Sequence, residues 1–325
     1  MLSSLNIASK EWVYSQYDHE VQTRTIVKPG EGAAVISINA SRGIALSSGC
    51  NPTQVAADPF NGAAVTVLEN AMNLAVKGAT PIAFVNCLNF GNPEKKAIFY
   101  QLEQAVNGLS YAASIIETPI VGGNVSLYNE SEEFHTAIIP TPSIGMVGVL
   151  NDISKIPSAF FNEEGDAIIM VGETYPEYGG SEFAELFGLE GVAPKPRKGT
   201  KKNIEALVGA IETGKISAAN DIGRGGILIA LANMCARLGA SVDLTQILGE
   251  ENELFSETCG RAILTIKNQD LGSIITLLKT RNVPFALIGT VVKDRLSITI
   301  GDNKLTFPLE LVKQSLNTLS DSMRG

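Results

Sequence analysis

The sequence has few of the residues that build metal sites or disulfide frameworks. Its 325 residues include four cysteines and two histidines, and no two cysteines form a CxxC pair. This spacing argues against structural zinc and disulfides and favours a reducing, cytoplasmic compartment. No apolar run approaches the ~20 residues of a membrane helix. The first residues, MLSSLNIASKEW, also lack the basic and apolar regions of a signal peptide.

Positive charge is also scarce. The chain has 25 Lys and Arg against 34 Asp and Glu, a net charge of −9. Nucleic acid is therefore not an expected partner, because binding to its backbone needs clustered cations. Phosphate binding by backbone N–H groups stays possible, since it needs no net positive charge. The 45% hydrophobic content is that of a globular protein, and the length suits two domains.

Helical and strand patterns alternate along the chain, which predicts an α/β or α+β fold. A Pro-containing, acidic stretch at 153–165 reads as a linker, so we predict domains at 1–155 and 156–325. The main predicted strands are 81–87, 120–125, 138–150, 167–171, 262–266 and 286–292, with two more around the turn at 39–43 and a hairpin at 295–307. The predicted helices are 63–76, 96–116, 202–213, 226–238, 271–279 and 309–319.

Two apolar segments end abruptly in polar, Gly-rich breaks. The breaks are LNFGNP at 88–93 and GGNVSLYN at 122–129. At the carboxyl edge of an open sheet, such breaks present backbone N–H groups and small polar side chains, and phosphorylated ligands bind there. The sequence therefore predicts a phosphate-ligand site at this edge.

Three residues of the second break each have a chemical use and a plain structural alternative. Gly123 lets the backbone approach a phosphate, Asn124 offers a carbonyl oxygen to Mg²⁺, and Ser126 can donate to a substrate oxygen. The alternative is an ordinary strand-end turn whose glycines serve geometry only. The structural alternative for Asn86, before the first break, is an edge residue hydrogen-bonded to backbone.

Three segments carry a family resemblance. LNFGNPEK (88–95), GNVSLYNE (123–130) and PTPSIGMVG (140–148) resemble the second half of the phosphoribosylformylglycinamidine synthase (PurL) family, in the PurM-like superfamily. The resemblance covers nearly the whole chain and is densest between residues 50 and 150. It implies a two-domain PurM-like fold, in which the first sheet contributes to a shared β-barrel and the second domain is an α/β sandwich.

The resemblance also implies an ATP-dependent ligase of purine biosynthesis. The family reaction joins ammonia, released from glutamine, to formylglycinamide ribonucleotide and gives formylglycinamidine ribonucleotide. ATP and Mg²⁺ are the implied cofactors. By position, Asn86 and Gly123 correspond to ATP contacts, Asn124 to a magnesium ligand and Ser126 to a substrate contact. The implied partners are the first half of PurL or a second copy of this chain, with the glutaminase PurQ and the small subunit PurS.

No residue of this chain is predicted to be catalytic. The family's catalytic histidine belongs to the first half, so we interpret His19 and His135 as non-catalytic. Several acids usual in the family are also missing, since Gly49, Asn86 and Arg224 stand at positions that are usually acidic. These changes leave two further hypotheses open: a non-catalytic structural or nucleotide-binding subunit, or a free-standing homodimeric PurM-like synthetase.

Two motifs of the second half allow structural readings. Gly179-Gly180-Ser181 resembles a family loop that lies near the nucleotide, yet Ser181 is equally suited to cap a helix. Glu257 and Arg261 stand four residues apart, and we favour a structural ion pair between them.

Overall fold

Two β-sheets flanked by helices make up the structure, a computed structural model that describes residues 1–131, 133–134 and 136–324. His135, interpreted above as non-catalytic, lies outside the described residues. The strands of the two sheets fall on either side of residue 155.

The first sheet is six-stranded in the order β1-β2-β3-β8-β4-β5. Its strands are β1 (Thr25–Val27), β2 (Ala34–Ser37), β3 (Gly43–Gly49), β4 (Thr80–Asn89), β5 (Ile120–Ser126) and β8 (Thr141–Leu150), and a separate small pair is β6 (Glu130–Ser131) with β7 (Thr136–Ala137). All neighbours are antiparallel except β4 and β5, which run parallel because a helix connects them.

The second sheet is seven-stranded in the order β10-β12-β9-β13-β11-β14-β15. Its strands are β9 (Ala167–Val171), β10 (Ile216–Ile222), β11 (Gly239–Asp243), β12 (Arg261–Ile266), β13 (Phe285–Val292), β14 (Arg295–Ile300) and β15 (Asn303–Pro308). Every residue of β9 and β12 is buried. Such continuous burial requires cover on both faces of the sheet.

Helices pack against both sheets. They are α1 (Glu11–Tyr14), α2 (Pro52–Ala57), α3 (Pro59–Ala75), α4 (Lys96–Ile116), α5 (Glu182–Phe187), α6 (Gly199–Glu212), α7 (Gly226–Met234), α8 (Asn268–Thr280), α9 (Leu309–Leu316) and α10 (Thr318–Arg324). One apolar core joins α3 and α4 to α6, α8 and one face of the second sheet. A second core lies between the other face and α7 and α9. The predicted division at residue 155 therefore passes along a shared core.

The predicted strands and helices are confirmed, with ends that differ by a few residues. The elements that were missed are the short β1, β6, β7, α1, α2 and α5, together with two strands of the second sheet, β10 and β11. The β10 sequence ISAANDI is rich in small and polar residues, and β11 is only five residues long. Neither segment has the alternating pattern that identifies a strand.

The first sheet has one covered and one open face. Along β8, buried residues alternate with partly exposed ones, as the period of two in a strand requires. The covered face lies against α3 and α4, while the other carries exposed apolar side chains such as Leu46 (47% exposed) and Val85 (44%). In the described residues this sheet does not close into a barrel. Among residues 1–131, 133–134 and 136–324, we find no helix with the length and apolar character that a membrane span needs.

Candidate functional site

The two Gly-rich breaks meet at one edge of the first sheet. Strands β4 and β5 are paired in parallel, with Asn86 opposite Gly123, Cys87 opposite Asn124 and Asn89 opposite Ser126. Because parallel strands end at the same edge, both breaks emerge side by side, as the sequence predicted. Strand β5 is the outermost strand, and all its residues are at least partly exposed.

The four candidate residues divide between the two faces of the sheet. Successive side chains of a strand point to opposite faces, so Asn86 shares a face with Gly123, and Asn124 shares the open face with Ser126. A ligand that touches all four would therefore wrap around the exposed edge at β5. The sequence placed these residues together correctly, and alternation alone separates Gly123 from Asn124 and Ser126. The face on which Asn86 lies depends on the register between β4 and β5.

Gly123 packs closely against Asn86. A Cβ at this position would overlap the amide oxygen of Asn86 and lie 3.0 Å from its backbone oxygen. The structural alternative for this glycine therefore accounts for its lack of a side chain. The absence of a side chain at Gly123 also leaves the exposed backbone of β5 accessible to a ligand.

Asn124 and Ser126 have few contacts of their own. The Asn124 amide nitrogen lies 3.6 Å from the sulfur of Cys87, and its side chain is exposed. The Ser126 hydroxyl lies 3.3 Å from both the amide oxygen and the amide nitrogen of Asn129. Neither side chain supports the core, so both are available to a bound molecule.

A pair of oppositely charged side chains lies beside this edge. Lys95 contacts Glu130 at 2.6 Å, and Glu130 also accepts from the backbone N–H of Asn92 at 2.9 Å. These two contacts lower the pKa of Glu130 below its usual value. Within residues 1–131, 133–134 and 136–324, no three His, Cys, Asp or Glu side chains could hold a metal ion together. A cation at Asn124 would therefore depend on ligand phosphates and water.

The Gly-rich loops of the second domain hold an internal anion. The carboxylate of Glu257, 1% exposed, accepts from the backbone N–H of Gly225 at 2.8 Å and from that of Glu182 at 3.0 Å. Its other oxygen accepts from the Gln54 side chain of the first domain at 2.7 Å. These N–H groups stand at the starts of α7 and α5, where an anion is stabilised. The chain's own carboxylate thus fills the place that the loops offer to a phosphate.

The contacts of Ser181 and of Arg261 decide the two structural interpretations made for the second half. Ser181 caps α5 by accepting from the backbone N–H of Ala184 at 3.1 Å, so the capping interpretation is confirmed. The predicted ion pair between Glu257 and Arg261 is wrong. Arg261 begins strand β12 and donates to the backbone oxygens of Thr258 and Ser256, at 2.9 and 2.6 Å. Residues four apart face each other on a helix but not across the turn that leads into a strand.

A polar cluster between the domains was missed by the sequence reasoning. Desolvation raises the pKa of Glu69 to about 8 and that of Asp221 to about 6. Asn51 donates to Glu69, and the Arg224 guanidinium lies 3.8 Å from the buried carboxylate of Glu182. The available signal was Glu69 itself, a lone acid within the apolar helix α3.

Comparison with known proteins places the fold. Residues 30–150 match the N-terminal domain, and residues 163–301 the C-terminal domain, of the AIR synthase related proteins. The chain belongs to the AIR synthase related protein family. Both matched segments lie within the two predicted domains, and each contains most strands of one sheet.

The relatives are PurL subunits. The chain is 48% identical over its full length to the phosphoribosylformylglycinamidine synthase subunit PurL of Methanosarcina acetivorans, of which it covers 46%. It is 41% identical over 97% of its length to PurL of a Thermoanaerobacter species, of which it covers 44%. The chain thus spans about half the length of the curated relatives it matches.

A solved structure shows the same fold. Thermotoga maritima PurL complexed with FGAR superposes with a TM-score of 0.75 at 21% identity, over 91% of this chain and 50% of that one. The predicted PurM-like fold is confirmed. The resemblance to PurL, drawn from three short segments, extends over the whole chain.

Proposed function

We propose that this chain is the second-half subunit, or a fragment, of phosphoribosylformylglycinamidine synthase. The full reaction is the ATP-dependent conversion of formylglycinamide ribonucleotide and ammonia to formylglycinamidine ribonucleotide. The supporting observation is the exposed edge of the first sheet, where Gly123, Asn124 and Ser126 of β5 lie beside Asn86 of β4. The relatives' name supports the reaction class, and their length supports an incomplete unit.

The residues at this edge suit ATP and Mg²⁺ as part of a larger site. Mg²⁺ keeps several waters and takes one or two protein oxygens together with ligand phosphates. The exposed Asn124 side chain carries one such oxygen. Among the described residues, β5 has no neighbouring strand on its outer side. Asn86 would accept hydrogen bonds from the nucleotide. When bound, Mg²⁺ offsets phosphate charge during phosphoryl transfer.

This chain alone should not make formylglycinamidine ribonucleotide. Two carboxylates beside the edge already have partners, because Glu130 contacts Lys95 and Glu94 accepts from the Tyr128 hydroxyl at 3.3 Å. The family's catalytic histidine belongs to the first half. The measurement is an assay with ATP, Mg²⁺ and ammonia on the purified chain, then with a first-half subunit added. We expect turnover only in the mixture. Robust turnover by the chain alone would contradict the division of the active site.

The proposed partners follow from the same division. The first half of PurL, or a second copy of this chain, would complete the site at the β5 edge, and the glutaminase PurQ with the small subunit PurS would supply ammonia. A second candidate function is a non-catalytic structural subunit. It is favoured by one observation: Glu257 and Arg224 occupy the Gly-rich loops of the second domain with internal charges. Stimulation of the first half by an Asn124→Ala chain as strong as by the unsubstituted chain would favour this candidate.

We also propose that the open face of the first sheet is an association surface. An uncovered apolar face and an unpaired edge strand are features that soluble proteins cover. Leu46, Val85 and Val121 are 44–64% exposed on or beside this face. Without the first half, a two-fold homodimer is the simplest cover, and an obligate interface of this kind buries on the order of 2,000 Å².

Light scattering at micromolar concentration should therefore give about twice the chain mass of 34.4 kDa. Val85→Lys should shift the protein towards monomer, because a charge on the buried face of an interface is costly. Leu311→Lys, a matched change at a 49% exposed position of the second domain, should leave the mass unchanged. A stable monomer of the unsubstituted chain would refute the association surface.

A further inference from the structure

Helix α5 and the turn after it expose four large apolar side chains within seven residues. Their exposed fractions are 46–61%, and we call them the α5 patch: Leu186, Phe187, Leu189 and Val192. Single apolar side chains are common on protein surfaces, whereas a group of them in one place is typical of a binding surface. The α5 patch therefore needs a function that the strand-end site does not supply.

Backbone hydrogen bonds hold the α5 patch in place. Gly188 ends α5 in the left-handed region, with a φ of 62°, and the Leu189 N–H donates to the Ala184 oxygen at 2.9 Å. The Gly179 N–H donates to the Val192 oxygen, also at 2.9 Å. These bonds fix the turn with its apolar side chains at the surface, so their exposure is a property of the fold.

Aromatic rings support the patch. Phe183 stacks on Phe255, with ring centroids 4.5 Å apart and ring planes 7° apart. The rings of Phe187 and Tyr178 lie 5.1 and 6.1 Å from that of Phe183. Aromatic side chains offer a large contact area with few rotatable bonds, so little entropy is lost when a partner covers them. The patch thus has the rigid apolar centre of a binding surface.

Acidic side chains lie next to this centre. Burial, Glu253 and Glu250 together raise the pKa of Tyr178 to about 12. Within residues 1–131, 133–134 and 136–324, no ion pair involves any of the five acids of this region, which are Glu185, Glu190, Glu250, Glu251 and Glu253. They outnumber the exposed lysines that follow the patch, Lys195 and Lys198. The surroundings of the patch therefore carry a net negative charge.

We propose that the α5 patch binds a partner protein through a segment that carries Lys or Arg beside apolar side chains. The apolar side chains of this segment cover Phe187 and its neighbours, and its cations face the unpaired acids and the exposed ring of Phe187. The first half of the enzyme is assigned above to the first sheet, whereas the patch lies on the second domain. The partner is therefore a different protein, and its identification as the glutaminase or the small subunit rests on the proposed function.

The first test uses the isolated chain and a synthetic probe. The probe is a labelled helical peptide with leucine on one face and lysine on the other, and a second peptide has glutamate in place of lysine. We expect only the lysine peptide to bind, more weakly at high salt, with a Kd at least tenfold higher in Phe187→Ser and in Glu190→Lys. The matched controls Leu311→Ser and Glu163→Lys, at exposed positions outside the patch, should keep the original Kd. Equal binding by Phe187→Ser and the unsubstituted chain would overturn the proposal.

The second test identifies the partner. Calorimetry measures the Kd of the chain for the glutaminase, the small subunit and the first half, each added alone. Phe187→Ser should weaken binding of the glutaminase or the small subunit at least tenfold and leave the affinity for the first half unchanged.

Three outcomes of this second test count against a proposal. An effect of Phe187→Ser on the first half alone, or on none of the subunits that the unsubstituted chain binds, would overturn the assignment of the patch. So would a lower mass of Phe187→Ser in light scattering, because the occupant would then be a second copy of this chain. If the unsubstituted chain binds none of the three subunits, the proposed function fails, while the peptide measurement still judges the patch.

Discussion

Replacement of Glu257 by alanine is expected to lower the free energy of unfolding by about 3–5 kcal/mol, the usual cost of removing one partner of a buried charged network. Two backbone N–H groups and the Gln54 amide would lose their acceptor inside the protein. Because these donors come from α7, α5 and α2, the loss would loosen both Gly-rich loops and the contact between the domains. Urea unfolding followed by circular dichroism measures the change.

Glu257→Gln is the matched control. Its side-chain oxygen can still accept from the Gly225 and Glu182 N–H groups. Within residues 1–131, 133–134 and 136–324, the Gln54 amide oxygen has no hydrogen-bond partner, so a rotated Gln54 amide could accept from the new amide nitrogen. We expect less than half the effect of alanine, and added formate should restore stability to Glu257→Ala alone. Equal destabilisation by both variants would mean that volume, and not the carboxylate, is what the loops require.

Replacement of Asn124 by alanine is expected to lower turnover of the assembled enzyme about 10- to 1000-fold, or about 1.4–4 kcal/mol of transition-state stabilisation. The fold should be nearly unchanged, because the exposed Asn124 side chain has a single weak contact with Cys87. Steady-state rates and melting temperature are measured together. Asn107→Ala, at an exposed position of α4, is the control. An unchanged rate at an unchanged melting temperature would contradict a role for Asn124 in the reaction.

The strand-end site could be predicted because its signals are local. Apolar residues before residues 88 and 122 define two strands, and the polar Gly-rich breaks define their ends. The parallel pairing then follows from the helix between them. The face that Asn86 shares with the residues of β5 depends on register, and a shift of one residue would place it with Asn124 and Ser126 instead of Gly123. That register was not available from spacing alone.

The internal anion could not be predicted, because its contacts join distant segments. Glu257 meets Gln54 across 203 positions of sequence. Gly-rich loops read the same whether they enclose a phosphate or a carboxylate, since both bind through backbone N–H groups. The error over Arg261 has a related cause, because an i,i+4 spacing has meaning only where the backbone is helical.

The apolar core that joins α3 and α4 to α6 and α8 affects how the chain unfolds. Family domains are segments that recur together in evolution, whereas a cooperative folding unit is defined by a shared interior. Here residues such as Leu74, Leu207 and Ile274, from both family domains, belong to one continuous interior. The two matched segments therefore share one interior, and we expect them to unfold together in a single cooperative transition.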